Sequence, residues 1–199
     1  MRAGLLLLAA LAGVALWWRR NPSACPYNQR FWVQAPHPLI TRDRLRRVLD
    51  PQPGERVLEV GPGTGYYTVA VADWLGPDGR LELFDLQQEM LDHTLRAAGE
   101  LAGRMGATQG DARELPYPGA SFDAAYLVTV LGEIPDQEAA LRELRRVVRP
   151  GGRVVVGEIA VDPHVVFPGA LERRAAAAGL RLERRDGSAL AYFARLVPA

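Results

Sequence analysis

With 199 residues, 48% of them hydrophobic, the chain has room for one domain with a packed core plus a short appendage, which excludes wholesale disorder. A formal net charge of +1, in which all 24 basic residues are Arg, argues against a general nucleic-acid binder, and beyond Arg20 the balance turns slightly acidic. The single cysteine, Cys25, excludes an internal disulfide framework and any multi-thiolate metal site, and no metal is expected.

The first twenty residues stand apart. Ala3–Trp18 runs for 16 residues without a charge, and Arg19 and Arg20 close it. As a helix it would span ~24 Å, against a hydrocarbon core of ~30 Å. The expectation is an uncleaved transmembrane anchor, with Trp17 and Trp18 at one interface and the main domain facing the cytoplasm. A cleaved signal peptide is the rival reading, but Trp and Arg stand where small residues would form a cleavage site. Between Arg19 and Arg47 lie seven Arg and one acid, Asp43, which reads either as a stretch drawn to anionic headgroups or as a solvated helix face. Residues 21–40 carry four Pro and read as an irregular linker that lies on the domain, whose expected extent is 41–199.

From Thr41, a candidate N-cap, a short helix runs to about Leu49, where Pro51 and Pro53 stop it. Strands and helices then alternate. Strands are expected at Arg56–Val60, Gly79–Phe84, Ala107–Gln109, Phe122–Val130 and Arg153–Ile159. Helices are expected at Tyr66–Leu75, Gln87–Leu101, Asp136–Val148 and Pro168–Ala178. Two last strands, Leu180–Arg185 and Ala189–Val197, flank Asp186-Gly187, a hairpin signal. The pattern implies an α/β fold: a doubly wound, Rossmann-like, mostly parallel seven-stranded sheet with an antiparallel hairpin at its end.

In such a sheet ligands sit beyond the carboxyl ends of the strands, so the first strand–helix turn, "EVGPGTGYY", draws attention. Gly61, Gly63 and Gly65 allow a sharp bend and close approach of a ligand to the backbone. A dinucleotide fingerprint needs its third glycine at 66, which is Tyr66, so a pyrophosphate cradle is disfavoured. Glu59 beside the turn suits a ligand with a cationic group, an ammonium or sulfonium. Asp85, ending the second strand, can accept both hydroxyls of a ribose. Asp111 and Ala112, after the third strand, can read an exocyclic amine and a ring nitrogen such as those of adenine. A tight turn and exposed carboxylates are the plainer alternatives for each clue taken alone.

Together "VLEVGPGTG", Asp85, "GDARELPYPGASFDAAYLVTVLGEIPD" and "LRELRRVVRPGGRVVV" resemble the successive motifs of class I S-adenosylmethionine-dependent methyltransferases. The likeness is to the small-molecule group that includes quinone-biosynthesis enzymes, and it covers about residues 40–197. It implies that Gly61 and Gly63 pack against the methionine and ribose of the cofactor. Glu59 would position the turn and the amino group, Asp85 would hold the ribose, and Leu86 would lie against the adenine. Asp111 and Ala112 would read the adenine edge, and Thr129 would offer its backbone carbonyl to the amino group.

Methyl transfer from a sulfonium needs alignment more than a dedicated catalytic residue, but a base can help. His164, after the fifth strand, and Glu133, after the fourth, are the candidates, and a structural role is open for both. Tyr27, Phe31, Trp32 and His37 could wall the acceptor or simply pack, while His93 reads as surface. The segment after the fifth strand is too short for an inserted lid. With the anchor, that points to a small hydrophobic or lipid-like acceptor held near a membrane. A nicotinamide oxidoreductase on the same fold and a tethered cofactor-binding scaffold without turnover are the rival readings.

Overall fold

The computed structural model describes residues 13, 21–32 and 38–199, without the side chains of Arg30 and Trp32. Seven strands form one sheet: β1 (Arg56–Val60), β2 (Arg80–Asp85), β3 (Met105–Gln109), β4 (Phe122–Val128), β5 (Val148–Ile159), β6 (Leu180–Gly187) and β7 (Ala191–Pro198). The helices are α1 (Arg42–Leu49), α2 (Thr68–Trp74), α3 (Gln88–Ala98), α4 (Gln137–Val147) and α5 (Pro168–Ala177). The strand order is β3-β2-β1-β4-β5-β7-β6. All neighbours pair in parallel except β7, which runs antiparallel between β5 and β6.

Right-handed crossovers put helices on both faces of such a sheet. One face packs Leu45, Val48 and Leu49 of α1, Val71 of α2 and Leu91 of α3 against Val57, Leu83, Tyr126 and Val155. The other packs Leu141 and Leu144 of α4 and Leu171 of α5 against Leu58, Leu127, Val154 and Val156. The central strands β1, β4 and β5 are buried on both faces, and their near-continuous apolar runs follow from that.

One expectation is corrected. A transmembrane helix over residues 3–18, and with it a single-pass membrane location, was expected; among the described residues no helix is long and apolar enough to cross a membrane. The longest α-helices there, α3 and α4, have 11 residues, or ~17 Å against the ~30 Å a span requires. Apart from Gly13, the segment itself lies outside the described residues.

The arginines of α1 turn toward the domain. Thr41 caps the helix, its hydroxyl accepting from the Arg44 amide at 3.4 Å. Arg44 and Arg47 both donate to Asp186 on β6, at 3.0 Å each. Arg42 donates through Nε to the Tyr66 carbonyl at 2.7 Å and stacks on the Tyr66 ring, and Arg46 lies over Trp74.

This explains where the hairpin departs from its sequence signal. Asp186-Gly187 does not form the turn; both residues continue β6, and the connection is residues 188–190. The Asp186 carboxylate is engaged by two guanidiniums of α1, and a Cβ on Gly187 would stand 2.0 Å from Arg44 Nη2. The requirement for glycine is firmer still, because φ is 117° and the same Cβ would lie 2.3 Å from the Ala191 carbonyl oxygen.

Candidate functional site

The carboxyl ends of β1, β2, β3 and β4 meet at one rim of the sheet. After β1 the chain turns through Gly61, Gly63 and Gly65, with φ of 71°, 57° and 85°. Each lies in the left-handed region that glycine adopts without a Cβ penalty. Gly61 is also required for packing, since a Cβ there would fall 2.3 Å from Cγ2 of Val130, beyond the end of β4. The turn is fastened on two sides. Gly61 donates to the Phe84 carbonyl at 2.8 Å, and the Gly63 carbonyl accepts from Thr94 of α3 at 3.0 Å.

Glu59 lies beneath this turn, 2% exposed, and accepts from the Thr68 hydroxyl at 2.6 Å. That bond joins the last turn of β1 to the start of α2 and closes the base of the glycine loop. Burial pushes its carboxyl up to about 7, against the lowering bond from Thr68.

Asp85 ends β2, 9% exposed. Its Oδ1 accepts from the Gln87 amide at 2.8 Å, and no ion pair neutralises it among the described residues. Burial pushes it up to about 6. Leu86, the next residue, is 55% exposed, an apolar side chain standing free at a strand end. A buried carboxylate without a counter-ion beside an exposed apolar surface fits a ribose joined to a flat base. The residues present therefore suit an adenosyl group.

Beyond the end of β3, Ala112 is buried and Asp111 is half-buried. Both carboxylate oxygens of Asp111 are engaged by Arg113, at 2.6 to 3.0 Å, which holds its carboxyl below the usual range. Thr129 follows β4 with φ of 56°, its amide donating to the Gly157 carbonyl at 2.8 Å.

The acids gather on the β4–β5 side. Glu133 closes a short 3-10 turn, Leu131–Glu133, and burial followed by the charge of Asp162 pushes its carboxyl up to about 8. His164, 8% exposed, donates its amide to Asp162 Oδ1 at 2.7 Å. The two loops touch closely, because a Cβ on Gly132 would lie 1.8 Å from the His164 carbonyl oxygen. The structure thus brings Glu133 and His164 to one wall, while Asp85, Leu86 and the glycines form another.

Sequence reasoning missed three participants. Glu158, on β5, is 1% exposed; its Oε2 accepts from the Val166 amide at 3.2 Å and its Oε1 has no partner among the described residues. Asp162 was passed over beside His164. The third is Gln87, which fastens the 21–32 segment across the rim. Its Nε2 donates to the Cys25 carbonyl at 2.9 Å, and its Oε1 accepts from the Tyr27 amide at 3.0 Å. Cys25 also lies within the field of Glu133, beyond the end of β4, so this short strap reaches from the β2 side toward the β4 side. Tyr27 also meets His93, which is therefore more than surface. His37 and the Trp32 side chain lie outside the described residues.

Residues 57–152 match the model of a family described as "Methyltransferase domain". Over these residues, just under half of the chain, it is similar to S-adenosylmethionine-dependent methyltransferases. It is 33% identical over 129 residues to a demethylmenaquinone methyltransferase of Bacillus cytotoxicus, covering 63% of this chain and 54% of that one. It is 37% identical over 118 residues to a ubiquinone/menaquinone biosynthesis C-methyltransferase, UbiE, of Vibrio campbellii, covering 56% and 45%. The chain thus spans about half the length of these relatives. The fold of the chain is shared by a solved S-adenosylmethionine-dependent methyltransferase from Aquifex aeolicus, with a TM-score of 0.80, 17% identity, and 88% of this chain and all of that one covered.

Proposed function

We propose that this chain transfers a methyl group to a small, hydrophobic acceptor of the quinone type, and that the domain doing so spans residues 41–199. The observation that carries the reading is the pairing of the three left-handed glycines with Asp85, a buried carboxylate that no cation neutralises among the described residues. S-adenosylmethionine supplies a methyl already activated on a sulfonium, so no residue has to create the leaving group. The chain holds donor and acceptor in line and keeps water away.

In this reading Asp85 accepts the ribose hydroxyls, Leu86 lies under the adenine, and Asp111 and Ala112 meet its edge. Gly61, Gly63 and Gly65 let the backbone approach the amino-acid part, with Thr129 and Glu59 shaping that end. Glu133 is the preferred acceptor of the proton released when an acceptor hydroxyl is activated, and His164 is the second candidate. A carboxylate whose pKa is raised toward neutrality by burial is suited to that exchange.

The names of the relatives support a quinone precursor, and so does the rim itself. Val161 is 84% exposed and Phe167 is exposed beside the β5 loop, an apolar border for an apolar ring. The test is calorimetric titration with S-adenosylmethionine and S-adenosylhomocysteine, followed by transfer of labelled methyl to a demethylated naphthoquinol. Binding abolished by Asp85→Ala, with label in the naphthoquinol, supports the proposal. Binding without transfer to any quinol leaves the acceptor class wrong.

A further inference from the structure

The sheet has a second rim, at the amino ends of β1, β2 and β3. A cavity of about 420 Å³ opens there, lined by Arg56, Arg80, Arg104, Glu82, Met105 and Gly106 among others. β2 is 6 residues long, so the two rims are ~20 Å apart, and this cavity is no part of the cofactor site.

Three guanidiniums share the cavity. None of them forms an ion pair among the described residues. Glu82 is the one carboxylate in the lining, and its Oε1 is already taken by the Thr108 hydroxyl at 3.0 Å and the Tyr117 hydroxyl at 3.1 Å. The lining therefore carries an excess of positive charge on a chain that is otherwise close to neutral.

The arginines are also held in place. Arg80 donates through Nη1 to the Gly79 carbonyl at 2.9 Å, and Arg104 donates through Nη1 to the Gly76 carbonyl. Arg56 stacks over the Phe122 ring at 4.9 Å. Each anchor uses one nitrogen or one ring face of a group with five N–H donors, so donors remain for a ligand. Fixing a flexible cationic side chain beforehand removes part of the ordering cost of binding. Three guanidiniums facing one carboxylate leave a net positive charge that a bound anion would offset.

We propose that this cavity binds a small phosphorylated anion of the diphosphate class. The planar fork of arginine matches phosphate oxygens in pairs, and three forks suit a ligand with two adjacent phosphate groups better than a single carboxylate. The volume falls within the ~300–1,000 Å³ of small-ligand sites.

Inorganic pyrophosphate is the probe, titrated calorimetrically into the full chain at low and at physiological salt. One saturable site is expected, weaker at the higher salt. Arg56→Gln should weaken it on the order of tenfold, as loss of a charge-assisted pair does. Arg56 holds no backbone group, so this variant leaves the fold intact, which a thermal melt checks; Arg104→Gln should weaken binding further. Three results would overturn the proposal: no heat up to millimolar pyrophosphate, binding unchanged by Arg56→Gln, or displacement by S-adenosylhomocysteine, which would place the anion in the cofactor site. Sulfate binding as tightly as pyrophosphate would overturn the diphosphate assignment.

Discussion

The side-chain amide of Gln87 grips the peptide around Cys25 from both sides, donating to the Cys25 carbonyl and accepting from the Tyr27 amide. One residue thereby ties the strap before the domain to the end of β2, two positions from Asp85. Each such bond contributes ~1 kcal/mol net. Gln87→Ala should free the strap without unfolding the sheet. Hydrogen exchange at the Tyr27 amide should accelerate on the order of tenfold or more, with exchange in β1 and β4 unchanged. Unchanged protection at Tyr27 would show that other contacts hold the strap.

Gly61 faces two demands at once, a φ of 71° and the nearness of Val130. Gly61→Ala should cost roughly 2–4 kcal/mol, part overpacking and part left-handed strain. Adding Val130→Ala removes the two nearest methyls and leaves Cβ at 3.2 Å, so the double variant should recover part of the stability lost in Gly61→Ala in urea unfolding. About 1 kcal/mol of strain should persist. No recovery would mean that backbone conformation alone sets the requirement.

Glu55 and Arg153 form a buried pair at 2.6 Å, and Arg153 also donates to the Leu49 and Asp50 carbonyls at the end of α1. Breaking such a pair from one side costs ~3–5 kcal/mol. Glu55→Ala should lie in that range. Arg153→Ala should cost more, because it also strands two carbonyls. Equal costs in chemical denaturation would show that those carbonyls find water.

Burial raises Glu59 to about 7, Asp85 to about 6 and Glu133 to about 8. Their unfolded values are near 4, so across the intervening range the folded chain binds more protons than the unfolded one. Stability contributed by these groups is fully present below pH 4 and lost as pH rises through 6 to 8. The melting temperature of the ligand-free protein should fall between pH 5 and pH 9, and Glu133→Gln should flatten the upper part of that slope. A melting temperature that rises over this range would contradict the burial assigned to these carboxyls.

The alternation of apolar runs with helical stretches was enough to give a mostly parallel sheet covered by helices, because each parallel strand needs a crossover. The glycine turn and Asp85 were legible for the same reason: their positions follow from strand ends. Local signals failed where a distant residue competed. Asp186-Gly187 reads as a turn, but nothing near it in sequence announces Arg44. Glu158 reads as the polar end of an apolar strand, and only the fold shows it enclosed. Gln87 carried no signal at all, since its partners lie in a stretch with no period. Arg113, two residues from Asp111, and Asp162, two residues from His164, were missed partners that the sequence displayed openly.

The fastening of α1 to the last hairpin sets an order of events during synthesis. Arg44 and Asp186 are 142 residues apart. At ~5–20 residues per second, a ribosome makes the second partner on the order of ten seconds after the first. Until then the face of the sheet that receives α1 is incomplete, because β7 has not been made.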